Sequence, residues 1–271
     1  MVVFFNSKLI PEEQVLISYK DRSFQYGDGL FETMVFTKGK IRFIKDHLER
    51  LKKGMKALAI KGGKELTTDW LLSTVSLLVK ENKLKGDARV KLQLWRKEGG
   101  LYTPTNGKFN LLVSVQDLKP AETTALQTDF AETTFVKHSV TSPFKTTSAL
   151  TYVLAGIEKS EKERDDMILM NTEGYIAEMI SSNIFWIKDD VVYTPKTAVG
   201  CVAGVARRNV ITTLEASGYK VRKVMARKFE LLQADFVFSV NTMGVKSVIQ
   251  IGDAGFRQMD AWKVLMERAY H

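Results

Sequence analysis

Apolar residues in the first third of the chain recur at two spacings, and the change from one to the other marks the elements. Val90, Leu92 and Leu94 alternate with polar residues, as in a strand with one buried face. Leu48, Leu51, Met55 and Leu58 recur every three or four positions, which predicts an amphipathic helix. A second helix follows, with Thr68 placed to cap a run carrying Leu71, Leu72, Val75 and Leu78. Residues 2–5, 15–17 and 110–115 read as strands. Residues 30–36 follow the turn Gly27-Asp28-Gly29 and residues 41–44 follow Lys38-Gly39-Lys40, which suggests a hairpin.

Over residues 117–125 the pattern turns polar around Pro120, giving a candidate linker between a domain of residues 1–116 and one of 126–271. Beyond it, residues 130–138, 167–170, 183–187, 191–193 and 236–240 read as strands. Helices are expected over 148–163, over 205–217 with Gly218 just past the end, and over 259–270. Strands and helices mix without strict alternation, which points to an α+β fold.

Composition narrows the function classes. The 271 residues are 45% hydrophobic and 26% charged, as in ordinary globular proteins. No apolar run approaches eighteen residues and the start does not read as a signal peptide, so a membrane partner is not expected. The single cysteine, Cys201, has no internal disulfide partner, and no Cys/His cluster has metal-ligand spacing; a reducing, cytoplasmic location is expected. The net charge of +9 raises the question of nucleic acid. Its lysines and arginines are interleaved with acids, as in Glu158-Lys159-Ser160-Glu161-Lys162-Glu163-Arg164, which reads as a solvated helix face and not a binding stripe. A positive field of this kind suits an anionic small molecule.

Four segments carry candidate chemistry. Lys145, in Ser-Pro-Phe-Lys-Thr-Thr before a helix, stands apart from charge clusters; a lysine that attacks a carbonyl must be neutral part of the time and needs partial desolvation, though such a lysine is also an ordinary loop residue. Residues 197–207 form a small-residue loop opening a helix, with free amides that suit a phosphate, or else a plain tight turn. Glu178 lies between apolar neighbours ahead of Ser181-Ser182-Asn183, where it is either a turn acid or a partner for a protonated ring nitrogen. Arg50, in His47-Leu48-Glu49-Arg50-Leu51, borders the apolar stripe and either reaches inward to an anion or is solvated.

Taken in order, these segments resemble the class IV aminotransferase family, the fold-type IV pyridoxal-phosphate enzymes. The resemblance runs from about Asp21 to Ile251. It is carried by the run from Asp21 to Thr33, by His47-Leu48-Glu49-Arg50-Leu51, by Lys145 with Val153-Leu154-Ala155, and by Glu178 with the segment Ser182 to Trp186. Gly204-Val205-Ala206-Arg207 and Asn241-Thr242-Met243 complete it. It implies two α+β domains in the manner of D-amino-acid aminotransferase, with pyridoxal 5'-phosphate between them in a homodimer, and no metal. Lys145 would bond the cofactor and move protons at the substrate α-carbon. Glu178 would pair with the pyridine nitrogen, while Arg50, the amides of Val205 and Ala206, and Thr242 would hold the phosphate. Within the family, Thr33 matches a threonine that assists elimination in 4-amino-4-deoxychorismate lyase, which releases pyruvate to give 4-aminobenzoate for folate synthesis. Phe31 stands where D-amino-acid aminotransferases grip the substrate carboxylate, and Arg96 or Lys97 is a candidate for positive charge toward the substrate. Against the lyase, Gly100 and Leu101 stand where an arginine is usual, so an aminotransferase acting on branched-chain or D-amino acids with 2-oxoglutarate remains the alternative.

Overall fold

The computed structural model describes residues 1–119, 125–258, 266 and 268–270. The chain forms two compact units, Met1–Pro120 with Phe144–Ala149, and Ala121–Pro143 with Leu150–His271. Of the expected linker, Asp117 ends one strand and Ala125 begins another, while residues 120–124 lie outside the described residues. Most of the helix expected over 259–270 also lies outside them; within it, Arg268–Tyr270 form a 3-10 turn.

The first unit is built on an antiparallel sheet of β1 (Val2–Phe5), β2 (Lys8–Pro11), β3 (Gly29–Thr37), β4 (Lys40–Ile41), β5 (Ala88–Arg96) and β6 (Phe109–Asp117), in the order β2-β1-β6-β5-β3-β4. Helix α1 (Arg22–Tyr26) precedes β3, and α2 (Ile44–Ala57) and α3 (Thr68–Glu81) follow β4. The alternation in β5 puts Val90, Leu92 and Leu94 on one face. Their register neighbours Met34 and Leu30 in β3 and Val115, Val113 and Leu111 in β6 share it. These side chains form one core with Leu48, Leu51 and Met55 of α2 and Leu71, Val75 and Leu78 of α3. Each large side chain so buried contributes about 1.5–3 kcal/mol relative to exposure. Helix α2 lies close on β3: a Cβ at Gly54 would stand 2.8 Å from Leu30 Cδ1.

Three expectations here change in detail. Residues 15–17 are irregular, with Leu16 84% exposed; an apolar run without a neighbouring strand has no ladder to join. Of 41–44, only Ile41 is strand, because α2 already begins at Ile44. The cap of α3 is Thr67 and not Thr68: Thr67 Oγ1 accepts from Trp70 N–H at 3.1 Å.

The second unit contains β7 (Ala125–Val136), α4 (Leu150–Glu161), β8 (Asp166–Asn171), β9 (Ile176–Met179), β10 (Asn183–Lys188), β11 (Val191–Pro195), α5 (Val205–Ala216), β12 (Val221–Val224), α6 (Lys228–Leu232), β13 (Phe236–Asn241) and β14 (Gly244–Ile251). The strands run in the order β12-β11-β10-β13-β14-β7-β8-β9, with parallel pairs at β11–β12, β14–β7 and β7–β8. Strand β8 is buried throughout and β10 nearly so, which explains their continuous apolar runs. The fold is α+β.

Candidate active site

Residues 144–149 join the first unit because their backbone extends its sheet. Phe31 N–H donates to Lys145 C=O at 2.8 Å, and Thr147 N–H donates to Gly29 C=O at 2.9 Å. Leu30 and Thr146 form the intervening antiparallel bridge. This pairing, flanking β3 on the edge away from β5, puts the half-buried Lys145 side chain on the face of Phe31. Its Nζ stands 5.1 Å from the Phe31 ring centroid. Strand alternation carries Thr33 to that same face, half-buried, while Leu30, Glu32 and Met34 point into the core. Lys145, Phe31 and Thr33 therefore share one sheet face. Lys91, which pairs with Thr33 across β5, completes the row with its Nζ 5.6 Å from the same ring centroid. Lys91 was not singled out from sequence; its place in the Val90-Lys91-Leu92 alternation was the signal that could have found it.

Behind β3 the charges are arranged differently. Arg50, 8% exposed on the inner face of α2, donates from Nε to Glu32 Oε1 at 2.8 Å and from Nη2 to Glu32 Oε2 at 2.5 Å. His47 Nδ1 lies 2.7 Å from Glu32 Oε2. An ionised carboxylate only accepts, so the proton of this bond belongs to His47. Burial would raise the Glu32 pKa, yet the Arg50 charge and the bonds from His47 and Arg50 outweigh it and hold the carboxyl at about 2. Arg50 thus reaches inward, and its guanidinium is steered by Glu32.

Arg96 is placed otherwise than a substrate ligand would be. It is 4% exposed; Nε and Nη2 donate to the Asp28 carboxylate at 2.8 and 3.3 Å, Nη1 donates to Ala59 C=O at 3.3 Å, and Nη2 also donates to Leu58 C=O. Most of its donors are spent on the fold. Burial raises the Asp28 pKa, but bonds from Arg96 and Arg22 bring it below the usual carboxylate value.

In the second unit, β9 buries Glu178 to 3% exposure. Tyr152 O–H donates to its Oε1 at 2.7 Å, while Val202 N–H and Asn183 Nδ2 donate to its Oε2 at 3.1 and 3.5 Å. Burial, then the Glu178 charge, pushes the Tyr152 phenol well above its ordinary pKa, so it stays a donor. The same two causes push the Cys201 thiol up to about 12, which leaves it an unreactive packing residue. Val202 opens the turn into α5, whose cap, Gly204, provides no side-chain bond. The amides of Val205 and Ala206 precede the first backbone bond of the helix, Arg208 N–H to Gly204 C=O. A Cβ at Gly204 would fall 1.9 Å from Asn183 Oδ1, so only glycine admits this approach. Arg207 is used internally, donating to Thr194 Oγ1 and Pro195 C=O at 3.2 and 2.6 Å. Thr242 lies half-buried in the two-residue turn joining β13 and β14, beside Asn241, which reaches Ser181 C=O at 3.4 Å. Glu178, the start of α5 and the 241–242 turn thus gather around Ser181-Ser182-Asn183. Tyr152 was missed from sequence because a tyrosine in an amphipathic helix reads as packing.

Comparison with known proteins decides the family. Residues 29–251 match the model of amino-transferase class IV. The chain belongs to this family. It is an enzyme of the kind that depends on pyridoxal phosphate. It is 30% identical over 242 residues to an aminodeoxychorismate lyase of Vibrio harveyi, covering 86% of each chain. It is 29% identical over 247 residues to that of Bacillus subtilis, covering 89% of this chain and 83% of the relative. A probable branched-chain-amino-acid aminotransferase of Rickettsia bellii is 28% identical over 226 residues, or 82% of this chain and 76% of the relative. The fold is that of a branched-chain aminotransferase from Thermoproteus uzoniensis, with TM-score 0.90, 21% identity and coverage of 99% and 93%.

The residues present fit the cofactor. Pyridoxal phosphate needs an amine for its aldehyde, hydrogen-bond donors for its phosphate and an acid for its ring nitrogen. Lys145 is a half-buried amine, the start of α5 is an uncapped amide cup, and Glu178 is a buried carboxylate held by neutral donors. Ser182 Oγ, buried without a partner among the described residues, offers a further polar contact beside Glu178.

Proposed function

We propose that this chain is a 4-amino-4-deoxychorismate lyase, releasing pyruvate to leave 4-aminobenzoate for folate synthesis. The observation that carries the reading is a hydroxyl: Thr33 stands on the sheet face of Lys145, two residues from the ring that Lys145 touches. The two lyases reported above, each matched over more than four-fifths of this chain, support it.

In this reading Lys145, Arg50, Glu178, Val205, Ala206 and Thr242 are the residues that would serve the cofactor. When bound, the cofactor withdraws electrons from the substrate carbon that bears the amine. Lys145 Nζ is the amine that would hold the cofactor through its aldehyde, and it would also take the proton from the substrate carbon that bears the amine. Thr33 Oγ1 assists departure of the three-carbon unit as its carbon–oxygen bond breaks and the ring becomes aromatic. Glu178, hydrogen-bonded by Tyr152, Val202 and Asn183, would pair with the ring nitrogen. The amides of Val205 and Ala206, the Thr242 hydroxyl and the Arg50 guanidinium would hold the phosphate.

The protein is also read as a cytoplasmic homodimer. Leu150, Val153, Leu154 and Ile157 of α4, between 45% and 66% exposed, form an apolar stripe suited to a second copy. Among the described residues no helix is long and apolar enough to cross a membrane.

The test is incubation of the holoenzyme with 4-amino-4-deoxychorismate and no amino acceptor. The reading expects stoichiometric 4-aminobenzoate and pyruvate. Gly100 and Leu101, where the lyase usually has an arginine, favour the second reading, an aminotransferase for branched-chain or D-amino acids. That reading expects amine transfer to 2-oxoglutarate and no 4-aminobenzoate.

A further inference from the structure

Tyr270 is 7% exposed, and the 3-10 turn that carries it, Arg268–Tyr270, packs against α5. A buried phenol needs an acceptor, and here both acceptors belong to one short turn. The hydroxyl donates to Asn241 C=O at 2.7 Å and lies within reach of Gly244 C=O at 3.2 Å. Asn241 and Gly244 are the last register pair of the β13–β14 hairpin, so the two carbonyls flank Thr242 and Met243. Other bonds of Asn241 are local or long. Met243 N–H donates to Asn241 Oδ1 at 2.9 Å within the turn, and the bond from Asn241 Nδ2 to Ser181 C=O spans 3.4 Å. The phenol is thus a short tie between the turn that bears Thr242 and a segment seated on α5.

We propose that Tyr270 is a positioning residue for the cofactor phosphate. The inference rests on the reading that Thr242 and the amides of Val205 and Ala206 hold that phosphate. Those donors come from two separate elements, a hairpin turn and the first turn of α5. They serve one anion only while the two elements keep a fixed spacing, and donors held in place before binding spare the cost of ordering them. Tyr270 sets that spacing through the backbone on either side of Thr242, without touching the anion itself.

Equilibrium dialysis of the full chain against pyridoxal phosphate, and against pyridoxal, which lacks the phosphate, tests this in wild type, Tyr270→Phe and Thr242→Ala. Tyr270→Phe keeps the ring and loses one hydrogen bond to a carbonyl, so pyridoxal phosphate should bind about three- to tenfold more weakly. Pyridoxal should bind it as tightly as it binds wild type, and the phosphorus resonance of the bound cofactor should shift in the variant holoenzyme. Thr242→Ala should show the same selectivity for the phosphorylated ligand. The two changes combined should cost less than the product of their separate losses, because both act on one turn. Equal weakening of both ligands in Tyr270→Phe would make Tyr270 a residue of the fold alone and overturn the inference. A selective loss in Thr242→Ala with Tyr270→Phe indistinguishable from wild type sinks the inference and leaves the phosphate reading standing. If neither variant discriminates between the two ligands, the phosphate reading falls as well.

Discussion

The phenol of Tyr152 donates a 2.7 Å hydrogen bond to Oε1 of Glu178, a carboxylate 3% exposed. The bond removes little bulk when deleted, so Tyr152→Phe isolates its electrostatic part. Loss of a hydrogen bond to a charged group is worth about 1.5–3 kcal/mol. If Glu178 serves the ring nitrogen, Tyr152→Phe should lower kcat about tenfold and alter the pH dependence of the cofactor spectrum. Unchanged kinetics and an unchanged spectrum would separate Tyr152 from the chemistry.

Glu32 should make the first unit acid-labile. Its folded pKa of about 2 lies below the ordinary carboxylate value of 4.5. A depressed pKa adds stability above the unfolded value, and that stability is lost as pH falls from about 4.5 towards 2. The shift corresponds to about 3 kcal/mol. Thermal unfolding across this range should show a falling Tm in the wild type. Glu32→Gln should start lower at neutral pH, having left Arg50 without its buried partner, and should fall less steeply on acidification.

Much of this was legible in the chain. Leu30, Met34, Val90 and Leu92 sit on a one-sided sheet, and Leu48, Leu51 and Met55 on a one-sided helix, so their periodicities report burial directly. Residues 244–251 were not recognised as a strand because Lys246, Ser247 and Gln250 interrupt the apolar pattern in a segment hydrogen-bonded on both edges. Lys145 drew notice from its motif, but its membership of the first unit follows from backbone pairing with β3, which side-chain patterns do not encode. Arg96 illustrates the opposite case. A lone arginine at a strand end says nothing of whether its partner is a substrate or, as found, Asp28 and two carbonyls.

Gly204 offers a steric test of the phosphate cup. Its missing Cβ is the only way to keep Asn183 Oδ1 at its present distance, and Gly204→Ala forces the Asn183 side chain or the cap of α5 to shift. Overpacking of this kind costs about 1–3 kcal/mol. Equilibrium dialysis should show at least tenfold weaker binding of pyridoxal phosphate. Gly156→Ala is the control, because a Cβ there meets nothing within 4 Å. Equal affinity in both variants would place the phosphate elsewhere.

Thr33→Ala tests the hydroxyl without disturbing the core, since Thr33 points away from Leu30 and Met34. In 4-aminobenzoate release, kcat should fall tenfold or more while cofactor binding is retained. A variant with wild-type kcat would remove Thr33 from the elimination.

Attachment of the cofactor to Lys145 underlies every role assigned above. Reduction of the reconstituted enzyme with borohydride, followed by peptide mass mapping, fixes the bond irreversibly at whichever amine carries it. The pyridoxyl increment is expected on the peptide containing Lys145, with loss of the near-ultraviolet to violet band in Lys145→Ala. An increment on another lysine, Lys91 included, or an unchanged band in Lys145→Ala, would contradict the account.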